Sequence, residues 1–200
     1  TIAPTNDNVI VTLSTTEPIK DVLGWNKVNG TEFNKEYSAN ITTTVDFEDI
    51  AGNTGSALIT INNIDKIVPT GIITYSTIDP VNDSVLATLI TSEEVKDITN
   101  WTRIDATTFT KEYSENIMDT INFEDLADNT GSASILINNI DKTNPEGSVS
   151  YSTIAPTNSS VIVTLTTSES IQDIIGWTKV NDKEFNKEYS ANITTTVDFE

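Results

Sequence analysis

Val9-Ile10-Val11-Thr12-Leu13 carries an apolar residue at every second position. A period of two sets Val9, Val11 and Leu13 on one face of a pleated strand and Ile10 and Thr12 on the other. The stretch returns as Val85, Ala87 and Leu89, and again as Val161, Val163 and Leu165, so the inward face stays apolar in copies displaced by 76 residues. Thr1-Ile2-Ala3-Pro4, Thr77-Ile78-Asp79-Pro80 and Thr153-Ile154-Ala155-Pro156 keep the same step. So do Trp25, Trp101 and Trp177, then Phe33, Phe109 and Phe185, Tyr37, Tyr113 and Tyr189, and Phe47, Phe123 and Phe199. A long period with its own hydrophobic pattern means an array of small domains, not one large core.

Alternation continues through each repeat. Val45 and Phe47 flank Asp46, and Ala57, Ile59 and Ile61 form one face of the closing strand, whose outer face tolerates Leu58 in one copy and Ser134 in the next. A one-residue slip would turn the apolar set to solvent, so the pattern specifies register. Asn-Gly and Asn-Asp clusters and Ala51-Gly52-Asn53-Thr54-Gly55 mark turns. The complete copy predicts seven short strands near 71–76, 84–91, 94–98, 100–104, 107–113, 117–124 and 131–139, with Ser92 to Thr99 open to two readings, a short edge strand or an irregular turn. The expected fold is all-β, with antiparallel sandwich domains of immunoglobulin type arranged end to end. Linkers at Asn62 to Gly71 and Asn138 to Gly147 divide the chain into 1–65, lacking its first strand, 66–141, complete, and 142–200, lacking its last strand. Residues 1–65 begin inside a repeat and Glu200 stops just before a turn, as expected for part of a longer tandem array.

The 200 residues carry a formal net charge of -19 and neither histidine nor cysteine. Such a charge repels nucleic acid and anionic lipid surfaces and favours solubility and hydrated divalent cations. Disulfides and thiolate metal sites are excluded. No apolar run is long enough to span a bilayer as a helix, so no direct membrane insertion is expected.

Asp49-Ile50-Ala51-Gly52-Asn53-Thr54-Gly55, an alternating strand, and Ile64-Asp65-Lys66 leading to Pro69 and Tyr75-Ser76 together resemble bacterial immunoglobulin-like repeats. Thr15-Thr16-Glu17-Pro18-Ile19 followed by Gly24-Trp25 is similar to the same family. The resemblance covers the whole chain. It implies an extracellular, non-catalytic spacer or adhesion module on the bacterial cell surface, in adhesin stalks or surface layers, often with calcium at the domain joints. Asp128 stands where the first copy has Gly52, a departure that suits a positive φ less well and adds a carboxylate.

In such a sandwich the loop before the last strand, the loop after the second strand and the incoming linker share one pole. Asp65 is therefore expected to meet Glu93, Glu124 and Asp125, and Asp141 to meet Glu169 and Glu200. Glu17, Glu48 and Asp49 would face a linker preceding residue 1. Calcium binds carboxylate and carbonyl oxygens in flexible geometry, and would remove the mutual repulsion and fix the joint about Pro69. Solvated loop acids without an ion are the alternative reading.

Trp25, Trp101 and Trp177 are read as core, not as sugar-stacking platforms. Lys35, Lys111 and Lys187 share a strand face with aromatics, and are read as stems covering apolar surface in preference to partners in an isopeptide bond. Without histidine or cysteine, nucleophilic triads and ordinary zinc sites lack their parts, and no enzyme is expected. The function read from the sequence is a structural spacer whose partners are neighbouring repeats. A self-assembling lattice or filament of identical chains and a module binding host protein or glycan are the alternatives.

Overall fold

The computed structural model describes residues 3–200; Thr1 and Ile2, which open repeat 1, lie outside the described residues. Those residues form strands and no helix, and every strand-to-strand ladder is antiparallel. The chain divides into two compact units, Thr1–Ile140 and Asp141–Glu200. Three hydrophobic clusters fill them, one per repeat.

In the first unit, repeat 1 contributes β1 (Val9–Ser14), β2 (Asn26–Lys27), β3 (Glu32–Tyr37), β4 (Ile41–Glu48) and β5 (Thr54–Ile61). Repeat 2 contributes β6 (Gly71–Tyr75), β7 (Val85–Thr91), β8 (Thr102–Arg103), β9 (Thr108–Tyr113), β10 (Ile117–Glu124) and β11 (Thr130–Ile137). The sheet orders in repeat 2 are β6-β7-β9-β8 and β10-β11, and its core draws side chains from both sheets in a sandwich-like arrangement. Repeat 1 has β1-β3-β2 and β4-β5. Along β11 exposed and buried residues follow one another without a break.

The segment 94–98, read as a short edge strand or an irregular turn, holds one antiparallel bridge, between Val95 and Asp125. Its two buried apolar residues, Val95 and Ile98, stand three apart, a spacing that a strand cannot place on one face. Val85, Leu89, Phe123, Ile135 and Ile137 are buried as their pattern demands. Trp101 and Phe47 differ from expectation, being only partly buried against their clusters. The aromatics excluded from water altogether are Phe33, Phe109 and Phe185, each at 0% exposure. Indole is large for so small a core, and Trp101 packs edge-on to Tyr113 at 6.4 Å from the core's margin.

The second unit holds β12 (Gly147–Tyr151), β13 (Val161–Thr167), β14 (Thr178–Asn181) and β15 (Glu184–Tyr189) in the order β12-β13-β15-β14. Residues 193–200 repeat the sequence of β4 but form no strand. No strand of this unit forms a ladder with them, and their backbone contact within it is the Gln172 N–H on the Glu200 carbonyl.

Candidate functional site

The pole of repeat 2 is built on a turn closed by one carboxylate. The N–H groups of Ala127 and Asn129 both donate to Asp125 Oδ1 at 2.8 Å, and Asn129 Nδ2 donates to Oδ2 at 2.8 Å. Asp128 takes φ 71°, and Gly52 takes 97° at the equivalent place in repeat 1. Asp125 is 1% exposed.

Beside this turn, the strand β7 ends at Thr91, whose hydroxyl donates to the Glu93 carbonyl at 2.7 Å. Ser92 and Thr70 exchange two bonds: the Ser92 N–H donates to the Thr70 carbonyl at 2.8 Å, and the Thr70 N–H to Ser92 Oγ at 2.9 Å. The linker is thereby tied to the loop that carries Glu93. Pro69 is fully buried, and its carbonyl lies 2.0 Å from where a Cβ on Gly131 would stand, so only glycine admits this approach. A swing between the repeats must therefore arise upstream of Pro69, over the exposed Lys66, Ile67 and Val68.

Asp65 enters from repeat 1. Its N–H donates to the Thr5 carbonyl at 2.9 Å, its Oδ1 accepts the Ile67 N–H at 3.0 Å, and its carbonyl accepts Asn129 Nδ2 at 3.1 Å. The Asn6 N–H donates to the Ala127 carbonyl at 3.1 Å, a second direct bond across the joint. Asp65, Glu93 and Asp125 then bring one carboxylate oxygen each within 4.8 Å of one another. Burial, followed by the charges of Asp65 and Asp125, pushes the Glu93 carboxyl above the ordinary glutamate range.

The other acids named from the sequence go elsewhere. Glu124 pairs with Lys96 at 3.1 Å, and Asp128 pairs with the same ammonium instead of joining the three acids. Asp128 first and Glu124 second hold Lys96 above its ordinary range. Glu48 pairs with Lys20 at 2.5 Å. Asp49 repeats the turn of Asp125 through Asn53 at 2.8 and 2.7 Å, and Glu17 lies exposed beside it. In the second unit, Asp141 Oδ1 accepts the Thr143 N–H at 2.9 Å, and the Glu200 carbonyl accepts the Gln172 N–H at 3.0 Å. Glu169 is half-buried with Oε1 unpaired among the described residues. Among those residues, Asp65, Glu93 and Asp125 form the one grouping of three acids close enough to share a cation.

Sequence reasoning passed over Asn129, Lys20 and Lys96. It also passed over Asn40 and Asn116, whose amides each exchange two bonds with Ile64 and Ile140, at 2.8 to 2.9 Å, and pin the start of each linker. The signal was present: asparagine recurs there at the repeat period, and Lys20 and Lys96 are rare cations in an acidic chain. Lys111 Nζ sits 4.8 Å over the Tyr113 ring, with Lys35 and Lys187 similarly placed over Tyr37 and Tyr189. No protein-family model, curated protein or solved structure matches the chain.

Proposed function

We propose that the chain is a non-enzymatic spacer segment of a bacterial cell-surface protein, made of tandem immunoglobulin-like sandwiches, and that calcium stiffens the joint between repeats. Strand order supports the fold in this reading. Counting the Val95 bridge as the third strand of repeat 2, the first, second, fifth and fourth strands share one sheet, and the third, sixth and seventh the other. The surface location rests on the resemblance of the turn and linker residues to bacterial immunoglobulin-like repeats.

The observation that carries the calcium reading is the convergence of Asp65, Glu93 and Asp125 where repeats 1 and 2 join. The donor set fits a hard cation. All three ligands are carboxylates, and Asp125 Oδ2 accepts a single hydrogen bond, leaving a lone pair free. Asp65 belongs to the linker and Glu93 and Asp125 to repeat 2, so a shared ion ties the exposed Lys66–Val68 stretch at both ends. Calcium supplies the positive charge; the chain supplies a turn and a strand end that hold two of the acids in place beforehand.

Calorimetric titration of the protein with calcium, paired with solution scattering, tests this. The expected result is a binding heat and a narrower range of shapes, with repeat 1–2 unfolding delayed by about 2.7 kcal/mol once calcium reaches about a hundred times its Kd. Glu93→Gln with Asp125→Asn should abolish the response while both repeats stay folded. Absence of heat, or heat that survives the double substitution, leaves these acids as a solvated surface.

A further inference from the structure

The sheet β6-β7-β9-β8 of repeat 2 turns one face to the core and the other outward, and its register sets the outward side chains in transverse rows. Ile72 stands opposite Ile90, Ile90 opposite Thr108, and the Ile104 N–H donates to the Thr108 carbonyl at 2.9 Å, which puts Ile104 at the end of the row. The next row is all threonine: Thr74 opposite Thr88, Thr88 opposite Thr110, and Thr110 opposite Thr102. Ile72 is 70% exposed and Ile104 61%. These rows carry no charge, in a chain whose net charge is -19. The charged residues of the four strands are Arg103, Lys111 and Glu112. Arg103 and Lys111 lie against the rings of Phe109 and Tyr113, and Glu112, opposite Leu86 one row further on, accepts the Ser84 hydroxyl. The uncharged face belongs to repeat 2. Where it has Ile90, Thr108 and Thr110, repeats 1 and 3 have Ser14 and Thr166, Glu32 and Glu184, and Asn34 and Asn186. The strands hold the same register in all three copies, so the exchange alters the outer surface and not the pairing.

We propose that this face is an interaction surface for the same face of a second copy of the chain, two repeat 2 sandwiches packing sheet to sheet about a two-fold axis. Charge selects the partner. Removing the glutamate of repeats 1 and 3 favours an approach by something acidic or apolar, and a second copy is both: it brings another net charge of -19 and its own rows of isoleucine and threonine. An uncharged face is where two such chains repel least. It is also self-complementary, since a two-fold axis sets each row against its own image. Stacked sheets interdigitate their side chains, and isoleucine and threonine, stiff at χ1, lose little rotamer freedom on packing. Two rows across four strands cover about 300 Å² at about 4.8 Å per strand. A stable complex buries about 800 Å² per partner. The contact is therefore weak, and fills where the effective concentration of copies is high.

The test uses the full chain in chelator, so its outcome does not depend on the calcium reading. Sedimentation and methyl NMR are followed from about 0.05 to about 2 mM protein, a range that brackets a Kd of about 1 mM. The expected result is reversible dimerisation, with methyl shifts that grow with concentration at Ile72, Ile90 and Ile104. Ile10 and Ile162, on the matching faces of repeats 1 and 3, should stay unchanged. Ile90→Ser with Thr108→Glu gives repeat 2 the residues of repeat 1, and should weaken association at least about tenfold. Thr108→Glu alone should weaken it too, with amide exchange along β7 showing that repeat 2 stays folded. Added sodium chloride should strengthen wild-type association, because it screens the repulsion between acidic chains. The proposal is overturned by no association over that range, by association that survives these substitutions, by shifts centred on Ile10 or Ile162, or by weakening in salt.

Discussion

The poles of repeats 1 and 2 carry the same turn in different surroundings. Asp49 and Asp125 each hold an asparagine four residues on through both the backbone and the side chain. Asp125 is nonetheless buried and Asp49 only half-buried, Asn129 buried and Asn53 exposed, Ala127 buried and Ala51 exposed. The local turn is therefore a property of its own sequence, because Asp and Asn satisfy it without help. Its burial is a property of what arrives from outside: Asp65, Asn6, Pro69 and β6. A loop of this sequence becomes a joint only when a linker is laid across it.

The largest difference should appear in the core beneath. Phe123→Ala should cost about 3–5 kcal/mol, and Phe47→Ala clearly less, because the half-exposed ring gives up less buried surface. Amide exchange resolves the local stability of each repeat separately, and equal losses would show that the two cores are equally closed. Alanine at Gly131 and at Gly55 isolates the linker. Each new Cβ meets a phenylalanine ring, at 2.7 and 2.6 Å, but only that at Gly131 also meets the Pro69 carbonyl. Gly131→Ala should therefore be the more destabilising by about 1–3 kcal/mol, and should loosen β6.

The smallest effect is in pH, and the two poles should slope in opposite directions. Glu93 has a raised folded pKa, so between the ordinary glutamate range and that raised value the folded chain holds a proton that the unfolded chain has lost. Stability from this group therefore falls as pH rises through that interval, and Glu93→Gln should remove the fall. The Asn53 side chain first, and its backbone N–H second, hold Asp49 below the ordinary aspartate range. Its contribution is present above that range and is lost as pH drops through the depressed value. Chelator-treated protein followed by exchange from acid pH below the ordinary aspartate range up to neutral checks both signs. Parallel slopes at the two poles would mean that the linker does not set the electrostatics of the joint.

Much of this was legible in the residues. Period-two runs such as Val85-Ala87-Leu89 name their own faces. The meeting of Asp65 with Glu93 and Asp125 followed from the strand order expected of a sandwich. Glu124 did not, since alternation along β10 places it on the outer face, where Lys96 neutralises it. Trp101 misled because hydrophobicity reports a preference for burial and says nothing of the room available.

By itself the sequence determined the repeat, the strand faces and the turn-closing carboxylates, because each depends on neighbours a few residues away. Tertiary structure alone decided which acids share a site and which glycine must stay bare. Asp65 and Asp125 are 60 residues apart in the chain, and Pro69 and Gly131 are 62 apart. Only the pairing of β6 along β7 draws the linker across the pole.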